Sequence, residues 1–373
     1  MQPITAAPRE LMTEAAVTRL LRDAPAIQVG RGLELIDRNL QVVEDISDAL
    51  SGGSVSRNSY ATLHSTATLA VTRQLAWSSA LVRPYMTLSD GVGEARFNLG
   101  AFYTSAPIVD LAEQPATYDV TGYDILHGLY SPTGEAYAVD AGASYLAEVE
   151  AILQQQGYTR YLIDQTRADA VLPSAKVWPL DDQTRWLSIV NDLLGAVGYQ
   201  GIWSDWDGRL RCQPYVLPRE RAPEWLYDAD QRTSMLGTRQ VERDYFDAPN
   251  RWVAVRQNDI DGPPPTEGAG VYTVTNTDQG DTSVQSRGRV LTKVMYVDAA
   301  DQAALERLAL VTIDADMRIP TTLRVSTSPA PLHWHFDRLV VDEPAIGPYA
   351  DVLGTSWTLP LDGSDMTHEW SVL

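Results

Sequence analysis

PATYDVTGYDILHGL, residues 115–129, is the stretch on which the organisation of the chain turns. It reads as a strand that ends at Gly122 and feeds a short helix. Upstream of it the apolar pattern has the two-residue period of strands, and downstream it takes the helical period, so the stretch marks where a sheet hands over to helices.

On the upstream side, Leu33, Leu35 and Asp37 alternate, Val42, Val43 and Ile46 follow, and SGGSVSRNS at 51–59 is a turn cluster. Alternating runs continue at 67–75, 81–86 and 96–103, with SDGVGE as the tight turn between the last two. This is an antiparallel sheet or a small barrel. Ahead of it, residues 8–22 place Leu11, Met12, Ala15, Ala16 and Leu20 on a helical face that Pro25 and Gly30 terminate. Such a helix packs on its own domain or docks on a neighbouring subunit.

On the downstream side, 144–156 and 182–197 are the clearest helices. The second is opened by a cap at Asp181 or Asp182, carries Trp186, Ile189, Val190, Leu193 and Leu194 on its apolar side, and has Gly198 as a C-cap. A WDG hairpin turn ending at Gly208 follows, with Leu210 and Cys212 on the returning strand. From residue 235 strands dominate again, interrupted by a helix over 299–317 with Leu305, Leu308, Ala309 and Ile313 at helical spacing. DGPPPTEGAG at 261–270 and TNTDQGDTSVQSRG at 275–288 read as long surface loops around a hairpin. The expected class is α+β, mainly β. It comprises an N-terminal helix over 1–25, a first β domain over 26–118, a helical or mixed middle over 119–234, and a second β domain over 235–373 with one helix.

A chain of 373 residues exceeds what one core usually serves, and 44% hydrophobic residues supply more than one. The net charge of −20 sets a surface that repels phosphates and anionic lipid, which argues against sequence-specific nucleic-acid binding while allowing DNA to pass through an acidic channel. Cys212 is the single cysteine, so neither an internal disulfide nor a multi-thiolate zinc site is available, and a buried thiol is expected. Neither a signal-peptide layout nor an apolar run of about 20 residues is present, so membrane insertion is not expected and assembly in the cytoplasm is.

The candidates for chemistry each have an ordinary structural reading beside them. Asp205, Asp207 and Gly208 resemble the start of a calcium loop but lack a distal ligand, and a Trp-flanked hairpin turn accounts for them. Asp259, Asp261 and Gly262 form a similar fragment in the proline-rich loop. His333 and His335 flank Trp334 and, in an extended segment, would share a face with chelating geometry, with Asp337 nearby; packing or hydrogen bonding at a sheet edge is the competing reading. His64, His127 and His368 fit neither HExxH nor a triad signature, no GxSxG elbow occurs, and GVGEARF at 91–97 is a turn between strands. A glycosidase needs only two carboxylates at the right separation, which a sequence does not test. The expected catalytic, cofactor and metal residues are therefore none.

Several segments together resemble one family. Besides 115–129 these are RGLELIDRNLQVVEDISDALSGGSVSRNS at 31–59, RPYMTLSDGVGEARFNLGAFYTSAP at 83–107 and LPSAKVWPLDDQTRWLSIVNDLLGAVGYQGIWSDWDGRLRCQPY at 172–215. DYFDAPNRWVAV at 244–255 and RGRVLTKVMYVDAADQAALERLA at 287–309 complete the set. In this order they resemble the hub or minor tail proteins of actinobacterial siphophages, whose fold is similar to the baseplate hub of contractile tails and to the N-terminal domain of tail-associated lysins. The resemblance implies two tube-like antiparallel β-barrel domains per chain and a homotrimer whose pseudo-sixfold ring mates with a hexameric distal tail ring. It also implies a central fibre or receptor-binding assembly below, the end of the tape-measure protein inside, and DNA passing through a gated lumen at the virion tail tip. The implied role is structural, with no catalysis. The rivals are a peptidoglycan-degrading tail lysin, and a carbohydrate-binding attachment module using exposed tryptophans such as Trp203, Trp206 or Trp225, with core packing as the plain alternative for these rings.

Overall fold

The computed structural model describes residues 1–2, 13–23, 27–77, 79–91, 93–110, 116–165, 170–228, 239–243, 245–257, 270–278, 280–298, 302–317 and 321–373. The chain divides into two compact units, one formed by Met1–Gln240 with Arg324–Ser371 and the other by Val241–Leu323.

The larger unit opens with α1 (Glu14–Asp23), which buries Val17, Leu20 and Leu21. Leu11 and Met12 of the expected helical face lie outside the described residues. The strands β1 (Gln28–Ile36), β2 (Val42–Asp45), β3 (Leu50–Asn58), β4 (Ser65–Val71), β5 (Leu81–Ser89), β6 (Glu94–Asn98), β7 (Phe102–Thr104), β8 (Ile108–Asp110) and β9 (Thr117–Asp124) follow. Alternation makes them strands: along β4, Ser65, Ala67, Leu69 and Val71 point inward while Thr66 and Thr68 face solvent. The run expected as one strand over 96–103 is two, because Gly100 adopts φ +102° between β6 and β7. A Cβ there would meet the Phe102 ring at 3.2 Å.

β9 carries the decisive stretch. It runs past Gly122 to Asp124, whose carboxylate accepts the Leu126 N–H at 3.0 Å and opens a 3₁₀ turn over Ile125–Leu129. That turn delivers Ile125, Leu126 and Leu129 into the core of the helical block. The block contains β10 (Tyr137–Val139), α2 (Tyr145–Gln155), β11 (Tyr161–Ile163), β12 (Lys176–Trp178), α3 (Trp186–Ala196), β13 (Trp203–Ser204) and β14 (Leu210–Cys212). Ser144 caps α2 by accepting the Ala147 N–H at 3.0 Å. α3 buries the expected Trp186, Ile189, Val190, Leu193 and Leu194, and Gly198 with φ +72° follows its last turn. The helix begins at Trp186 and not at 182, because the Asp181 carboxylate is committed to a turn of its own, accepting the N–H groups of Gln183 and Thr184.

β15 (Trp225–Tyr227) and β16 (Arg239–Arg243) come next. In the second unit β17 (Arg251–Gln257) lies between antiparallel β18 (Val271–Thr275) and parallel β19 (Thr292–Asp298), beside the short α4 (Val284–Arg287). α5 (Gln302–Met317) buries Leu305, Ala309 and Ile313 with Trp252 and Ala254, a single i, i+4 stripe. Leu308, expected on that face, is turned toward solvent. Trp252 donates to the Asp316 carboxylate at 2.9 Å, which also pairs with Lys293 at 2.8 Å.

The chain then forms β20 (Thr321–Thr327), β21 (Arg338–Glu343), β22 (Gly347–Pro360) and β23 (Met366–Val372). β22 pairs antiparallel with β3, from Ser356↔Asn58 to Pro360↔Ser54, and this joins the last strands to the first in one 15-stranded sheet. Its main path is β16-β20-β23-β22-β3-β4-β9-β7-β5-β1-β2, with β15, β21, β6 and β8 attached to its sides. The protein is therefore mainly β, built on a large and predominantly antiparallel sheet, and among the described residues no pairing joins the two ends of the path.

Candidate functional site

The segment around His333 and His335 is a turn and not an extended strand, so the two imidazoles do not share a chelating face. His333 Nε2 lies 2.5 Å from the Tyr227 hydroxyl and its Nδ1 3.3 Å from Asp337 Oδ2. His335 Nδ1 instead faces the Arg57 guanidinium at 3.1 Å, and its ring stacks on Trp203 with centroids 5.0 Å apart. Asp337 also accepts the Trp334 N–H at 2.8 Å and the Met1 ammonium at 2.8 Å, and Glu224 takes the same ammonium at 2.6 Å. His368 hydrogen-bonds Thr327 at 2.9 Å.

Burial decides the charge states in this network. It pushes His335 and His368 well below the ordinary imidazole value, and burial together with Arg57 takes His64 to about 3. Burial likewise lowers Arg57 to about 10 against the pull of Asp124, Asp337 and Asp205. Burial would raise Asp337, but the Met1 ammonium and His333 outweigh it and hold the carboxyl far below its usual range. Glu224 goes up to about 7 through burial and the neighbouring Asp337 charge. His333, His335, His368, Asp337 and Glu224 are thus each held by a named partner, His64 meets the His335 ring edge-on with centroids 4.9 Å apart, and the network cross-links distant segments of the large unit. Among the described residues no group of three or more His, Cys, Asp or Glu side chains is placed to hold a metal ion.

The remaining sequence candidates separate in the same way. Asp205 is fully buried, with Oδ1 accepting the Asp207 and Arg209 N–H groups and Oδ2 paired with Arg211 at 2.8 Å. Asp207 accepts from Asn98 at 2.7 Å, and Gly208 sits at φ +90° with Ala101 where a side chain would go. The segment is a hairpin turn. Asp259, Asp261 and Gly262 lie outside the described residues. Cys212 is buried and burial raises its thiol to about 12, which keeps it protonated. His127 lies exposed against Tyr103 and Tyr123. Trp203 and Trp225 are buried and Trp206 is half-buried against Trp334, so none of the three offers an open ring face.

The open aromatic surface is elsewhere and rests on tyrosines. A pocket of about 470 Å³ in the large unit has Tyr60, Tyr215 and Phe336 as its aromatic walls. Asp164, Gln200, Gln213 and Arg221 supply its polar lining. Tyr60 is 68% exposed and meets the Phe336 ring edge-on at 5.0 Å. Phe336 adopts φ +51°, a conformation costing a bulky residue about 1–3 kcal/mol, and the Arg221 guanidinium donates to its carbonyl. In the sequence, the only trace of this wall was the clustering of Tyr215 between Pro214 and Pro218. Two further surfaces suit assembly. β2 ends the sheet path with Val42 and Val43 exposed, and β8 exposes Ile108 and Val109.

No protein-family model matches the sequence, and no curated protein matches it. Solved structures do match. A tail protein from Neisseria meningitidis MC58 superposes with a TM-score of 0.58 at 12% identity, covering 92% of this chain and 97% of that one. The 43 kDa tail protein of prophage MuSo2 from Shewanella oneidensis gives 0.57 at 12% identity, covering 93% and 98%. A Francisella PdpA-VgrG complex in a half-lidded state gives 0.56 at 8% identity, covering 96% of this chain and 60% of that one. At these identities the likeness is one of fold, and along almost its whole length this chain has the fold of phage tail proteins.

Proposed function

We propose that this protein is a structural component of a bacteriophage tail, the hub of the tail tip, acting as an adaptor and gate without catalysis of its own. The observation that carries the reading is the end-to-end likeness to two tail proteins, which covers 97% and 98% of their chains. A likeness that complete leaves little room for an added catalytic domain within the matched length.

In this reading three copies assemble, each giving two tube-like β parts, residues 26–118 and 235–373, which share one sheet through the pairing of β3 with β22. The mixed segment 119–234 lies between these parts, and an N-terminal helix over 1–25 precedes them. Three chains with two β parts each match a hexameric distal tail ring by number. The exposed β2 and β8 edges suit the seams, since an edge strand presents unpaired N–H and C=O groups to a neighbour. A chain charge of −20 suits a lumen through which DNA slides without sticking. The tape-measure protein above and a central fibre or receptor-binding protein below complete the set of partners, in a particle of the siphophage type. The test is to image assembled virions carrying a small epitope on an exposed loop of this chain. Label confined to the tail tip supports the reading, and label on the head, along the tube or absent from the particle contradicts it.

A further inference from the structure

We propose that the tyrosine-walled pocket of the large unit is a saccharide-binding site. The proposal stands on the pocket alone and does not depend on the tail-hub reading.

The pocket, about 470 Å³, falls in the size range of small-molecule sites. Its walls and its polar lining ask for different things from a ligand. Tyr60 and Tyr215, 68% and 50% exposed, offer ring faces together with hydroxyls. The strained Phe336, pinned through its carbonyl by Arg221, fixes the ring against which Tyr60 leans. Strain of this kind collects where a side chain is held for a purpose.

The side-chain amides of Gln200 and Gln213 have no hydrogen-bond partner among the described residues, and neither does the buried Nε–H of Arg221. Unpaired amide groups both donate and accept. A lipid-like ligand would cover the rings and leave those groups dry and unpaired, which is costly. A proline-rich peptide would suit the rings, but each proline lacks a backbone N–H, so it brings few donors to the amide oxygens of Gln200 and Gln213. A pyranose has an apolar C–H face for the rings and hydroxyls that donate and accept at its rim, so it satisfies both sets of groups at once. Asp164 is the one carboxylate of the lining, whereas hydrolysis of a glycosidic bond uses a pair, so the site binds sugar without cutting it.

The experiment is saturation-transfer NMR of the full chain with a panel of neutral, N-acetylated and acidic trisaccharides, and with a proline-rich decapeptide in a parallel arm. The expected result is transfer to the ring protons of at least one trisaccharide. The double variant Tyr60→Ala/Tyr215→Ala and the single variant Gln213→Ala each weaken that binding at least tenfold. Tyr296→Ala, which removes a 65%-exposed tyrosine from the other unit, leaves it unchanged. Circular dichroism and thermal unfolding of each variant show that the fold is retained, and Gln213→Ala tests the site even where the double variant does not fold. Absence of transfer to every trisaccharide overturns the proposal. So does transfer that persists in both pocket variants, or saturable binding of the decapeptide alone.

Discussion

Gly122 shows how a single residue fixes the packing of the strand that leads into the helical block. A Cβ at this position would stand 3.0 Å from Phe102 Cβ and 3.1 Å from Ala67 Cβ, so β9 can lie flat between β4 and β7 only without a side chain there. Gly122→Val is expected to destabilise the protein by about 1–3 kcal/mol in urea unfolding, the usual cost of overpacking; an unchanged midpoint would show that the neighbouring strands yield freely. His64 makes a pH prediction. Its folded value of about 3 lies below the ordinary 6.5, so between these limits the unfolded chain binds more protons. The stability His64 contributes is present above pH 6.5 and is lost as the pH falls through about 3. The stability of the wild type relative to His64→Gln should therefore decline on acidification across that window, and a pH-independent difference would contradict the burial argument. At this scale the sequence signalled residue types but not partners. His333 and His335 sit two apart, and what separates them is that Tyr227 and the neighbouring Asp337 take one while Arg57 and Trp203 take the other, and Tyr227, Arg57 and Trp203 all come from distant segments.

Among elements, those whose period is set by one buried face were legible. β4 alternates along its length, and α2 and α3 carry their apolar stripes within a residue or two of their ends apart from the start of α3. Local backbone exceptions were not legible: the break at Gly100 and the turn at Asp181 each redirect a run whose period alone would have continued it. Strand partners were not legible either, because the alternation of β22 says which face is buried and nothing about its pairing with β3, about 300 residues earlier. The β2 edge carries a prediction at this scale. Val43 is 69% exposed on the last strand of the sheet path, so Val43→Glu should alter monomer stability by no more than about 0.5 kcal/mol. The same change puts a charge on an edge proposed as a seam, and it should abolish self-association in sedimentation velocity; association at wild-type strength would remove β2 from the proposed interface.

For the whole molecule, the sheet of the large unit and the likeness to phage tail proteins support the tail-protein part of the resemblance carried by six sequence segments. Three copies of a chain with net charge −20 must turn their acidic faces to solvent or lumen, or meet arginine-rich partners, so self-association should strengthen with salt over the range where repulsion is screened. The most direct test is the mass of the purified chain by light scattering, alone and mixed with the distal tail ring protein. The account predicts a trimer of about 123 kDa, three times the 41.1 kDa chain, either alone or on the ring. A chain that stays monomeric in both conditions would contradict it.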